Sequence, residues 1–291
     1  MSSFQIVLIE KDGVLDIYDG PWNVLRYRYF GPKPYVSHLL APNSAVPGLS
    51  KSVIQDSPAD HLHHHGIWWG QDEIKGTEFW LENNTSGRIN HVEFDVIVTK
   101  ETYASFACVS TWESNDGRVC AKDYRTFKVS RPSDQEPGWV LDIDYKIVPV
   151  EEPITLMKVV DSGFPAFRVA DIIDVFDGGH LVDDNGIEFL FDPPTNSSKW
   201  MVAWGKIDGS PPALSSYGGL AVLDHPLNPG YPNTWFTRPF GWFTPFGSQS
   251  GERVVPLEGI NLKHRVVTFR GEHDHDRIDK QWNEFILNEK Q

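Results

Sequence analysis

Residues 91–129, HVEFDVIVTKETYASFACVSTWESNDGRVCAKDYRTFKV, decide the fold. Three runs inside them, HVEFDVIVTKE, YASFACVSTWE and RVCAKDYRTFKV, alternate in part between apolar and polar side chains, and the polar ESNDG separates the last two. A period of two sends successive side chains to opposite faces of an extended chain, so each run is expected to be an antiparallel strand buried on one face. Working outward, FQIVLIE and VLDIYD flank KDG as an early hairpin with VLRYRYF next, and WVLDIDYKIVPV follows the polar RPSDQEPG. Successive strands of this kind form a meander. The second half continues less regularly through FPAFRVADIIDVFD, GIEFLFD, KWMVAWGKID, GLAVLDH and NLKHRVVTFRGE, punctuated by many of the 24 glycines and 21 prolines. Only DRIDKQWNEFILNEK is helical in pattern: Ile278, Trp282, Phe285 and Ile286 share a face, behind Asp274 or Asp276 as a cap. No shift of composition marks a boundary. Residues 1–291 are therefore expected to form a single all-β domain, a large antiparallel β-sandwich with a C-terminal helix.

The 26 Lys and Arg residues face 40 Asp and Glu, a net charge of −14, and no basic run occurs. That balance excludes a nucleic-acid binder held by phosphate contacts. No 18 uncharged apolar residues follow one another, so no membrane partner is expected, and the N-terminal MSSFQIVLIEKDG lacks the form of a secretory leader. Cys108 and Cys120 lie on either side of ESNDG and could face each other across a hairpin; buried, reduced thiols and a cytoplasmic setting are the expectation. GxGxxG, Walker and GxSxG patterns are absent, which sets aside nucleotide-dependent chemistry and serine hydrolysis.

The densest chemical signal is Asp60-His61-Leu62-His63-His64-His65-Gly66-Ile67-Trp68-Trp69. In an extended segment His61, His63 and His65 would share one face and His64 the other. Imidazoles so placed can move protons, hydrogen-bond hydroxyls or ligate a metal. Trp68 and Trp69 would point to opposite faces, the outward indole offering a stacking surface for a sugar ring. Glu73 and Glu78 follow in a polar loop that also holds Gln71 and Asp72. A second block, residues 219–242, carries Asp224, His225, Asn228, Trp235 and Arg238 on a proline-stiffened path suited to a pocket wall. Arg168 and Asp171 take opposite faces of a strand, with Glu188 further on.

These blocks resemble the PmoA-like family (methane oxygenase PmoA), a domain of largely uncharacterised bacterial proteins. The resemblance runs through DHLHHHGIWWGQDEIKGTEFW, KPYVSHLLAPNSAVP, GRVCAKDYRTFKV, GFPAFRVAD and GLAVLDHPLNPGYPNTWFTRPFG. It implies an aldose-epimerase-like supersandwich, a context of sugar utilisation, and functional positions at Asp60, His61, His63, His64, Asp224, His225 and Asn228. Leu62, His65 and Gln71 depart from the proline, arginine and histidine of that pattern. The resulting expectation is an enzyme acting on a small carbohydrate or glycoside, with His61, His63, His225 and Asp224 catalytic and His64, His65, Trp68, Trp69, Glu73, Glu78, Arg168, Asn228, Trp235 and Arg238 binding the ligand. Neither a metal nor a cofactor is required, and a homodimer is left open. The alternatives are a non-catalytic carbohydrate-binding protein and a His-ligated metal-dependent hydrolase or oxygenase.

Overall fold

In the computed structural model, which describes residues 3–42, 51–71, 73–156, 162–190, 197–207, 216–245 and 252–287, the alternation of the central runs becomes alternating burial. The chain opens with β1 (Phe4–Ile9), β2 (Val14–Asp19), β3 (Trp22–Arg28), β4 (Tyr35–Leu39) and the two-residue β5 (Ile67–Trp68). The long strands β6 (Arg88–Thr99), β7 (Tyr103–Glu113), β8 (Val119–Ser130) and β9 (Val140–Pro149) follow as a meander. Next come β10 (Ile154–Leu156), β11 (Ala166–Arg168), β12 (His180–Asp183), β13 (Trp200–Lys206) and β14 (Tyr217–Asp224). The chain continues through β15 (Phe236–Arg238), β16 (Trp242–Thr244), β17 (Arg253–Val255) and β18 (Ile260–Arg270) into the helix α1 (His275–Leu287).

Two eight-stranded antiparallel sheets result, ordered β1-β2-β3-β4-β5-β11-β16-β15 and β12-β13-β14-β18-β9-β8-β7-β6, with β10 and β17 paired separately. The expected all-β sandwich with a terminal helix is thus the observed fold. Between the sheets Leu15, Leu25, Val36, Ile67, Phe106, Phe127, Ile143, Phe167 and Phe243 form one continuous core. Inside it lies a buried ion pair. The Arg125 guanidinium donates to Asp123 through Nε (2.8 Å) and Nη2 (2.7 Å) and to the Pro34 carbonyl through Nη1 (2.9 Å), and it stacks over the Trp69 ring at 4.5 Å. Trp112 Nε1 donates to the same carboxylate at 2.7 Å.

Each sheet also carries a smaller apolar cluster on its outer face. On the second sheet, Trp200, Leu223, Val267 and Phe269 receive Ile278 and Phe285 of α1. Trp282 of the expected helical face is half-buried and Gln281 is buried in its place. Asp274 is the cap, accepting the Arg277 N–H at 3.1 Å. Asp274→Ala is expected to cost about 1 kcal/mol, read as a lower urea midpoint with unchanged slope. On the first sheet the outer cluster is Tyr35, Trp68, Trp80, Ala166, Phe236 and Trp242.

Both cysteines are buried and free, but they do not oppose each other: Cys108 pairs in register with Arg125. No helix of the described residues is long and apolar enough to cross a membrane. The expected loop member Asp72 and the end of GIEFLFD lie outside the described residues.

Candidate functional site

The histidine block enters the first sheet at its narrowest point. Ile67 opposes Val36 and Phe167, while Trp68 opposes Tyr35 and Ala166, so the pleat sends Ile67 inward and Trp68 outward. On the next pair Arg168 opposes Trp242, again on the outer face, with Phe167 and Phe243 stacked inside at 5.5 Å. Gly66 precedes the strand because a Cβ there would lie 2.4 Å from the Val36 carbonyl oxygen. Trp69 returns to the core, so the two indoles do take opposite faces.

Residues 57–65 are not extended. His61 N–H donates to the Pro58 carbonyl (3.0 Å) and His64 N–H to the His61 carbonyl (2.9 Å), two turns that curl the segment. Extended-chain alternation therefore fails here, and His61, His63 and His64 gather while His65 turns away. The His61 ring stacks on His64 (4.5 Å, 12°) and on Phe240 (4.7 Å, 17°), and His63 stands edge-on to His64 at 4.6 Å. His64 lies flat on Trp68 at 5.1 Å, beside Trp80 and Trp242. Burial depresses the His64 pKa far below the usual histidine value, reinforced by His63 and His61. Burial, with the charges of Lys33 and His61, lowers His63 to about 4. Both rings are neutral near pH 7.

A charge relay runs along one side of these rings. Arg168, 2% exposed, donates through Nη2 to both oxygens of Asp60 (3.1 and 3.3 Å) and to Asp171 (3.3 Å), which Gln55 Nε2 also holds at 2.9 Å. Asp60 in turn accepts from His61 Nδ1 at 2.8 Å. Burial works against the Asp60 charge, but the hydrogen bonds from His61 and Arg168 outweigh it and hold the pKa below the usual range. Several buried donors around the rings lack a partner among the described residues: Arg168 Nε and Nη1, Trp68 Nε1 and Trp242 Nε1, together with His64 Nδ1. Buried polar atoms are nearly always satisfied by protein or ordered water, so these donors are open to a solvent or ligand acceptor.

His65 belongs to a different network. Its ring stacks on Tyr35 at 4.0 Å, Nδ1 meets Asp56 Oδ1 and Ser57 Oγ (both 3.1 Å), and Nε2 meets Glu82 at 2.7 Å. Lys33, 2% exposed, lies 3.3 Å from Glu82 and donates to the Trp80 carbonyl at 2.6 Å. Burial opposes the charged His65 ring, but the bonds to Asp56 and Glu82 prevail and raise its pKa above 6.5. A raised folded value means that the pairing contributes stability fully below the unfolded pKa of about 6.5 and loses it as pH rises through the folded pKa. His65→Gln is accordingly expected to lower the urea midpoint more at pH 6 than at pH 9. Equal losses would assign the ring a packing role alone.

The remaining expected residues lie elsewhere. Glu78 accepts the Leu81 N–H and the Ser86 hydroxyl and so fastens the 78–86 turn, and Glu73 is half-buried in the preceding loop. Gln71 is fully buried and donates to Ser162 at 3.0 Å. Arg238 lies in register with Trp242 and stacks over Phe236 at 4.3 Å, at the margin of the aromatic cluster. Asp224 ends β14 in the second sheet, where its carboxylate accepts the His225 N–H (3.0 Å), Asn228 Nδ2 (2.6 Å) and Asn233 Nδ2 (3.0 Å). The His225 ring packs on Phe285 of α1 at 4.9 Å. That block braces a loop against the helix; it does not join the histidines of the first sheet. Glu188 pairs with His180 at 2.5 Å beside β12, apart from Arg168.

Two expectations need correction. Trp68, Trp69 and Trp235 are all 0% exposed, with Trp235 Nε1 donating to the Ser198 carbonyl at 3.0 Å, so the open indole surface of a carbohydrate-binding module is not formed. Among the described residues no group of three His, Cys, Asp or Glu side chains could hold a metal ion, so the histidine spacing does not become a ligand set. The residues unforeseen in the sequence are Lys33, Glu82 and Gln55, which reach the site from separate segments and carry no local signal of doing so, whereas Phe240 comes from the 219–242 block expected to wall a pocket.

In comparison with known families, the model of a family of unknown function (DUF6807) matches residues 15–283. It replaces the PmoA-like resemblance, and the double sheet described above conflicts with a membrane oxygenase subunit. No curated protein matches the chain.

Proposed function

The chain belongs to DUF6807, a family of unknown function, and from its site we propose that the protein is an enzyme performing proton transfer on a hydroxyl-bearing small molecule, a sugar or glycoside. The observation that carries this reading is the relay from Arg168 through Asp60 to His61. A carboxylate accepting from Nδ1 fixes that proton on the imidazole and leaves Nε2 with the lone pair, the arrangement a general base requires. Arg168 keeps the carboxylate ionised and in place. His63, neutral by burial, has no hydrogen-bond partner among the described residues and can meet a hydroxyl without introducing charge. Phe240 and Trp80 supply apolar walls beside them.

The test is proton NMR of the protein incubated in D2O with a panel of monosaccharides and glycosides. At least one compound is expected to show deuterium exchange, isomerisation or bond cleavage that follows enzyme concentration. An inert panel, or a rate unchanged by His61→Ala, would overturn the reading.

A further inference from the structure

We propose a second small-molecule site, for an aromatic carboxylate, at the end of the sandwich where the turn between β2 and β3 meets the connection between β8 and β9. A cavity of about 630 Å³ opens there, within the size range of ligand pockets, and it shares no lining residue with the histidine site. Trp22 of β3 and Trp139, which immediately precedes β9, line it and approach to 6.4 Å between ring centroids at 54°. Pro132 and Pro137 also line it, each with its own φ fixed by the ring.

The charges at the cavity select the ligand. Asp19, 5% exposed, accepts from Arg131 through both Nε (2.9 Å) and Nη2 and from Trp139 Nε1 at 3.2 Å, so the acid and Arg131 are committed to each other. Arg270, at the end of β18, is half-buried on the lining, and its guanidinium has no hydrogen-bond or ion-pair partner among the described residues. Among the described residues the one remaining lining acid, Glu136, is exposed. Two indoles and an uncommitted guanidinium together suit a flat apolar body bearing one carboxylate, which the planar fork can grip by charge-assisted hydrogen bonds.

Tryptophan fluorescence and saturation-transfer NMR with 1-naphthoate and the neutral 1-naphthamide test the proposal. Naphthoate is expected to bind about tenfold tighter than the amide. Arg270→Gln should erase that preference, Arg270→Lys should keep part of it, and Trp22→Ala should weaken both compounds. His61→Ala should leave naphthoate binding unchanged, which makes this outcome independent of the proposed activity. Absence of naphthoate binding, equal affinity for the two compounds, an undiminished preference in Arg270→Gln, or loss of binding in His61→Ala would each overturn it.

Discussion

His61→Ala is expected to lower kcat for a responsive substrate by about 10²- to 10⁴-fold, the usual contribution of a positioned general base. The side chain is 35% exposed and its polar contact is with Asp60, so the fold should tolerate the change. A stability loss of about 1 kcal/mol is expected from the stacking given up to His64 and Phe240. Asp60→Asn gives the sharper version. The amide preserves size but no longer enforces the Nδ1–H tautomer, and kcat should fall with little change in KM. If KM rises while kcat holds, His61 is a binding group and the base lies elsewhere.

The largest stability effect is expected at Asp123→Ala. Truncation leaves the Arg125 guanidinium in the core without its counter-charge and removes the acceptor of Trp112 Nε1. Breaking one side of a buried pair costs about 3–5 kcal/mol, readable as a shift in the urea midpoint. The double variant Asp123→Ala, Arg125→Met should recover most of the loss, because an apolar replacement has no charge to desolvate. A double variant as unstable as the single would show that the pair is needed for packing against Trp69 and Tyr145 rather than for electrostatics.

The sequence revealed the fold where periodicity had room to repeat. β7 alternates half-buried and buried residues along all 11 positions, and β8 and β9 keep nearly the same rhythm. The strands beneath the candidate site were not legible in that way: β5 has two residues and β11, β15 and β16 three each, too few for any period to stand out. For the site, the cluster at 61–65 announced itself by composition, but its geometry did not. Two backbone hydrogen bonds curl the segment and regroup the rings against the alternation expected of a strand. Asp224 and His225 read as chemistry for a related reason. Adjacent acid and imidazole look alike in sequence whether the acid holds the ring or, as here, the backbone N–H next to it. Lys33 and Glu82 show the converse, since only tertiary contact brings them to His65 and Trp80.

Residues 53–55 tie β4 to the β11 side, with the Val53 N–H donating to the Leu39 carbonyl (2.9 Å), Ala170 N–H to Val53 (3.0 Å) and Gln55 N–H to Arg168 (2.9 Å), and beside them the two-residue β5 joins β1–β4 to the β11-β16-β15 group in sheet order. It holds each side by two residue pairs. The first sheet is joined along this line by short pairings from two segments, and the stacked rings of His61, His64 and Trp68 lie over it. A molecule settling on those rings would lie against side chains rooted on both sides of the line at once, Tyr35 on one and Arg168 and Trp242 on the other. Occupancy and cohesion of the sheet would then be coupled, the occupant acting as a rivet between the two groups of strands.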